Sequence, residues 1–306
     1  MCDELKSVSW RSYMNDHFLD FYKIGDLEVK LKSLPSLIQS ALTSGFQHKI
    51  DIGSLFTQTD SFHFVTPHRG KAEIIPLQLH PPKKGLSTKE GQARLLHDLM
   101  NIELQAMELG LRTLIEFPDA PLFFREELAE LTLAEGRHLE MGWRGLQDLG
   151  YEWGDWPVHV VLLQSVSPQD TLLDRIFIVH RYLEGSGLDA QETILRRLQG
   201  ISGVGVTNIL KQIHKEEIDH VFFGNKWFHL LSKQQDTKTS QDATQASYKE
   251  ATQKTMFRDT LWRLRNQLPK RIEPICHRWR LQSGFTPDEI TELEYFRSSR
   301  LAVKTK

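Results

Sequence analysis

EEIDHVFFGNKWF, residues 216–228, places Glu217 three positions before His220, and LAEGRHLEMG, residues 133–142, does the same with Glu135 and His138. Positions i and i+3 share a face of a helix, so each pair can grip one ion. A lone glutamate stands upstream of each pair, Glu103 in LLHDLMNIELQAMELGL (95–111) and Glu184 in VHRYLEGSGLD (179–189). The gap from Glu103 to Glu135 agrees within one residue with the gap from Glu184 to Glu217. Four carboxylates and two imidazoles in this order are the ligand set by which a four-helix bundle holds two metal ions in its core. The pattern points to an oxygen-handling dimetal site with Glu103, Glu135, His138, Glu184, Glu217 and His220 as ligands.

All four glutamates sit on apolar stripes. Leu96, Leu99, Met100 and Met107 surround Glu103; Leu128, Leu131 and Leu139 surround Glu135; Leu173, Phe177 and Leu188 surround Glu184; Leu210, Ile213 and Val221 surround Glu217. Carboxylates facing a core are tolerated when protonated, paired or metal-bound, and Arg181 is the cation at a matching inward position. An oxygen-rich set with two imidazoles suits two ions of iron, or of manganese, better than zinc. By analogy with bundles of this type, Glu135 and Glu217 bridge the ions and Glu103 and Glu184 bind terminally. The competing reading of any single Glu-x-x-His is a solvated helix face; six ligands in order with matched gaps weigh against it.

Helical periodicity surrounds these residues. One helix is expected from Ser87 to Phe117, with Ser87 and Glu90 as a capping box and Pro118 past its end. Others are expected from about Pro121 to Leu149, from Pro168 to Gly187 with a resumption through Gln199, and from Val206 to Leu231. The two hairpins are joined by YEWGDWPVHVVLLQSVSPQD (151–170), a connection that suits an all-α, ferritin-like four-helix bundle with one long crossover. Four segments are delimited: an N-terminal extension of unclear structure (1–85), the bundle (86–231), a polar flexible linker (232–255), and a C-terminal helical basic segment packing on the bundle (256–306). Within the extension a short helix is expected around Leu34–Leu42, and the stretch up to Leu79 reads as irregular or strand-like.

The blocks LLHDLMNIELQAMELGL, LAEGRHLEMG, WGDWPVH (153–159), VHRYLEGSGLD and EEIDHVFFGNKWF resemble the signature blocks of an uncharacterised, ferritin-like domain-of-unknown-function family. RLQSGFTPDEI (280–290) is similar to the closing block of that family. The resemblance runs from Ser87 to Leu293 without the polar linker, and it implies the same six metal positions. Asn101 departs from the family's usual His and weakens any outer role there; Ala134 replaces a Glu expected to face away from the metal. The resemblance implies a fold and a metal site, and no reaction.

Several residues carry two readings. His180 and His214 project towards the ligand face, where either can hydrogen-bond a ligating carboxylate or relay a proton; each can equally be a core histidine satisfied by another group. His97 reads as a structural hydrogen-bonding group, and Asp189 as the anchor of a helix or an imidazole. Gly185 and Gly187, costly inside a helix, suggest a bulge or a close approach at the metal, or a helix end. Lys254 to Arg280 carries eight basic residues against two acidic ones, interleaved with Trp262, His277 and Trp279. That composition can hold RNA or a modified nucleotide, although a C-terminal cover with its tryptophans packed inward is the more ordinary reading.

A net charge of −2 over 306 residues, with 40% apolar and 25% charged, argues against a global nucleic-acid or membrane field. No apolar run approaches the roughly 18 residues needed to span a bilayer, and MCDELKSVSW lacks the apolar core of a secretory signal. Two cysteines, Cys2 and Cys276, build no disulfide framework, so a reduced, cytoplasmic setting is expected. The leading function is an oxygen-activating oxidase or hydroxylase of an organic substrate, with dioxygen as co-substrate. The alternatives are a non-enzymatic helical binding protein with a structural metal site, and iron storage or detoxification. Segments flanking the bundle disfavour a storage cage, and a monomer or small homo-oligomer is expected.

Overall fold

A computed structural model describes residues 10–45, 66–201, 204–239 and 246–302 of the chain. The protein is all-α: the described residues carry no β-strand, and one isolated parallel bridge joins Ile74 to Val158. The helices are α1 (Trp10–Lys23), α2 (Leu27–Ser40), α3 (Lys89–Glu116), α4 (Leu122–Asp148), α5 (Leu172–Ile176), α6 (Glu184–Arg197), α7 (Val204–Thr239), α8 (Ala246–Arg263), α9 (His277–Gln282) and α10 (Pro287–Ala302). A π-helical segment, Phe177–Leu183, joins α5 to α6. Among the described residues, no helix is long and apolar enough to cross a membrane. The chain divides into two compact units, Met1–Pro81 with His97–Val160, and Pro82–Leu96 with Val161–Lys306.

In the first unit, the helix expected around Leu34–Leu42 is longer and starts earlier. Asp26 caps α2 by accepting from the Val29 amide at 2.9 Å, and a π-helical turn, Ala41–Gly45, follows it. Its buried positions Leu27, Lys30, Leu34 and Ile38 recur every three or four residues, which gives one inward stripe. Leu34 lies against Gly136 of α4 so closely that a Cβ there would overlap it. The inward Lys30 is explained by Glu108 of α3, which is fully buried. Glu108 accepts from Lys30 Nζ at 2.6 Å and, through both oxygens, from Arg69 Nη1 at 2.7 Å and Nη2 at 2.6 Å. The segment before residue 85 thus supplies two cations to α3. Residues 46–65, part of the stretch expected to be irregular or strand-like, lie outside the described residues; residues 66–85 hold a 3-10 turn, Leu77–Leu79, and the bridge.

His97 has the structural role expected. Its Nε2 accepts from the Gly154 amide at 3.1 Å, and its ring stacks on Trp153 with centroids 4.8 Å apart. Gly154 adopts φ 100°, a conformation side chains resist, and a Cβ there would also meet Lys71.

The second unit shows three differences from the sequence expectations. The Gly91 amide donates to Thr88 Oγ1 at 3.0 Å, so the hydroxyl at the start of α3 belongs to Thr88 and not Ser87. The helical irregularity near Glu184 lies one turn before Gly185, in the π segment, and α6 runs through Gly185 and Gly187. The polar stretch 232–255 is largely helical, with α7 continuing to Thr239 and α8 starting at Ala246; residues 240–245 lie outside the described residues. Low hydrophobicity suggested a linker, but the stretch lacks Gly and Pro and carries many Lys, Gln and Ala residues, which extend a helix at little cost.

The C-terminal helices are fastened to the rest of this unit. Thr286 and Glu289 form a capping box at the start of α10, with bonds of 3.2 and 2.9 Å. Trp262 Nε1 donates to Glu292 and Trp279 Nε1 to Glu192, both at 2.9 Å. Arg280 is fully buried, and Arg263 pairs with Asp174.

Acid sensitivity is expected here. Burial, and then the charge of Arg181, push the His229 imidazole down from its ordinary 6.5 to about 4. Unfolded chains therefore take up a proton below pH 6.5 that the folded protein refuses until about 4, so stability falls as pH drops through that window. His229→Gln is expected to flatten the loss between those values when melting temperature is followed against pH.

Candidate metal centre

The first unit places two of the expected carboxylates around the His138 imidazole. Positions three apart on α4 put Glu135 Oε2 3.6 Å from His138 Nδ1, and Glu103 of α3 brings its Oε2 to 3.5 Å from the same nitrogen. Small residues set this spacing: Gly110 of α3 lies where a Cβ would overlap the Thr132 hydroxyl of α4, so the two helix backbones approach closely.

The second unit repeats the motif on α7, where His220 Nδ1 lies 3.3 Å from Glu217 Oε1. Glu184 is the first residue of α6, and its amide donates to Val179 O, five residues back, in the π-helical pattern. His180, in the widened turn, brings Nδ1 to 2.8 Å from Glu184 Oε1. An ionised carboxylate only accepts, so it fixes the proton on Nδ1. Gly224 of α7 permits this packing, since a Cβ there would overlap that of His180.

All six expected ligands are buried, from His138 at 0% to Glu184 at 9% exposed. Glu135, His138, Glu217 and His220 each offer a ligand atom, and these atoms all lie within 4.8 Å of one another. Two carboxylates and two imidazoles so gathered form a buried cluster able to hold a metal ion. Glu103 and Glu184 are not part of that four-residue group; Glu103 lies 3.5 Å from His138 Nδ1, and Glu184 hydrogen-bonds His180.

The other expected site residues divide. His180 contacts the Glu184 carboxylate. His214 Nδ1 lies 3.0 Å from Gln191 Oε1, its ring meets Trp279 edge to face at 5.0 Å, and burial lowers its pKa. Its Nδ1 is thus paired with the Gln191 side-chain amide. Asn101, where the resembled family carries His, donates to the His159 carbonyl at 3.0 Å, as does Gln105.

Arg181 pairs with an acid outside the candidate ligand set. Its Nη2 donates to Glu289 Oε1 at 2.7 Å and its Nε to Asn225 Oδ1 at 2.6 Å. Four phenylalanine rings, of Phe228, Phe257, Phe285 and Phe177, lie 4.3 to 5.8 Å from its guanidinium. Asp189 accepts from Arg280 Nη2 at 2.8 Å, Arg297 Nη2 at 2.9 Å and the Cys276 amide at 2.9 Å. Neither network is foreshadowed by spacing; the one signal was an arginine on an apolar stripe.

A Haemophilus influenzae protein described as uncharacterised is 31% identical over 226 residues, which cover 70% of this chain and 73% of that protein. No solved structure matches the chain. The model of a family described as "protein of unknown function (DUF455)" matches residues 25–291, a span that includes all six candidate ligands, and the chain belongs to that family.

Proposed function

We propose that this chain is a ferritin-like four-helix-bundle metalloprotein that binds two ions of iron, or of manganese, and oxidises or hydroxylates an organic substrate with dioxygen in the cytoplasm. The observation that carries the reading is the buried group Glu135, His138, Glu217 and His220, with Glu103 and Glu184 each at a neighbouring histidine. Burying that many ionisable groups is costly unless they are compensated, and bound cations compensate them directly. A hard oxygen set with two imidazoles favours iron or manganese. When bound, such a pair supplies redox chemistry towards dioxygen together with Lewis acidity.

The chain's own residues have separate tasks in this reading. Glu103, Glu135, His138, Glu184, Glu217 and His220 bind the ions. His180 orients Glu184 and holds a proton at Nδ1, a role that outer partners of metal ligands commonly take. Leu104, Met107, Leu139 and Val221 are buried and exclude bulk water. The proposed substrate is a small organic molecule. A modified nucleotide or RNA is the weaker case, since Arg280, Trp262 and Trp279 of the basic segment are engaged within the fold.

The test is to measure metal content and oxygen uptake on protein produced with iron and manganese supplied. About two ions per chain, with oxygen consumed when protein loaded anaerobically with ferrous iron is then exposed to air, is the expected result. Retained metal without oxygen uptake would shift the reading to a structural site. Protein that takes up no metal would remove it altogether.

A further inference from the structure

Arg280 joins two places that bracket Glu184. From α9 it reaches the π segment, where Nη1 donates to the Arg181 carbonyl at 3.0 Å, and α6, where Nη2 and Nε donate to Asp189 at 2.8 and 3.3 Å. Its guanidinium lies where a Cβ on Gly185 would be, so the glycine after Glu184 is explained by this side chain. Gly187, by contrast, faces open space. Arg280 is fully buried, as is Asp189 at 1% exposed.

A second strand of contacts reaches the same turn from the same block of sequence. Arg181 is gripped by Glu289, while Asn225 accepts from Arg181 Nε and donates to the Ser283 carbonyl at 2.7 Å. Gly284, at φ 94°, turns the chain so that Phe285 lies 4.8 Å from both the Arg181 and the Arg280 guanidinium groups. Residues 280–289 therefore enclose the turn that carries His180 and Arg181.

A widened π turn stands out from ordinary α-helix and concentrates at functional sites. Here it decides which residue faces Glu184, because His180 reaches that carboxylate from within the turn.

We infer that Arg280 is a positioning residue for Glu184: by clamping the Arg181 carbonyl to Asp189, it holds the π turn in the register that sets His180 against the Glu184 carboxylate. The role of Glu184 as a ligand rests on the proposed function; the clamp itself does not. The occupant of residues 280–289 is thus part of the ligand's support, and loss of the clamp is expected to weaken metal binding about tenfold or more, as loss of outer-shell partners does elsewhere.

The test compares wild type, Arg280→Lys and Gly185→Ala as full chains. Lysine keeps a charge for Asp189 but cannot also serve the Arg181 carbonyl, whereas alanine pushes on the guanidinium with every charge retained. In metal-free, 15N-histidine-labelled protein the His180 Nδ1–H signal, assigned by its loss in His180→Gln, reports the contact with Glu184. Mn(II) titration of the same samples reports affinity. The expected result is a shifted or lost His180 signal in both variants, with Mn(II) affinity down about tenfold or more. A His180 signal unchanged in either folded variant overturns the inference, whatever the metal does. Wild type that binds no Mn(II) or iron, while the His180 signal still depends on Arg280, removes the metal reading and leaves the clamp standing. Gly185→Ala preserves the test if Arg280→Lys does not fold.

Discussion

Exchange of Glu135 and Glu217 for glutamine together is expected to empty the protein of metal and to reverse its response to a chelator. The two carboxylates contribute half of the four-residue group gathered within 4.8 Å, and a neutral amide is a poor ligand for iron or manganese. Wild type saturated at about a thousand times its dissociation constant should gain roughly 4 kcal/mol of stability from binding; the variant should gain none. Without metal the order is expected to invert. Glutamine keeps the volume of the side chain and removes two buried charges whose desolvation is unfavourable, so the metal-free variant should melt no lower than metal-free wild type. Thermal melts with and without chelator, beside elemental analysis, check both halves. A variant that retains the full metal content would show that these glutamates are not ligands.

Glu108→Ala is expected to have the largest effect on stability in the first unit. Glu108 neutralises Lys30 and Arg69, all three at 2% exposure or less. Removing the shared anion strands two cations in the core, and breaking a buried pair in this manner costs about 3–5 kcal/mol. Against a total of about 5–15 kcal/mol this is severe, and a fall in melting temperature of roughly 10 °C is expected. Lys30→Met provides the contrast, because it leaves the two-point bond between Arg69 and Glu108 in place and should cost far less. Equal losses from the two substitutions would show that the charges are not buried together in solution.

The two expectations draw on features of unequal visibility in the sequence. Glu135 with His138, Glu217 with His220 and His180 with Glu184 are partners three or four residues apart. Helical geometry brings such residues together whatever the rest of the chain does, so the spacing alone exposes them. The helices were legible for the same reason. Glu108 with Lys30, Asp189 with Arg280 and Arg181 with Glu289 are separated by 78, 91 and 108 residues. No periodicity connects such pairs, so even the inward position of Arg181 did not disclose its partner. The position of the π turn was equally hidden, because Phe177–Leu183 is free of helix breakers. The helical character of much of residues 232–255 was missed because polarity was weighed above helix propensity.

The separation of 108 residues between Arg181 and Glu289 also imposes a delay during synthesis. At about 5–20 residues per second, the acid that neutralises this arginine is made about 5 to 20 s after it. Until then the guanidinium cannot enter its cage of phenylalanines without leaving a buried charge uncompensated, so the π turn and α7 must wait half-assembled on the ribosome. Nascent chains of this protein are thus expected to pass through an interval in which Phe177 and Phe228 lack the buried partner they pack on in the folded protein.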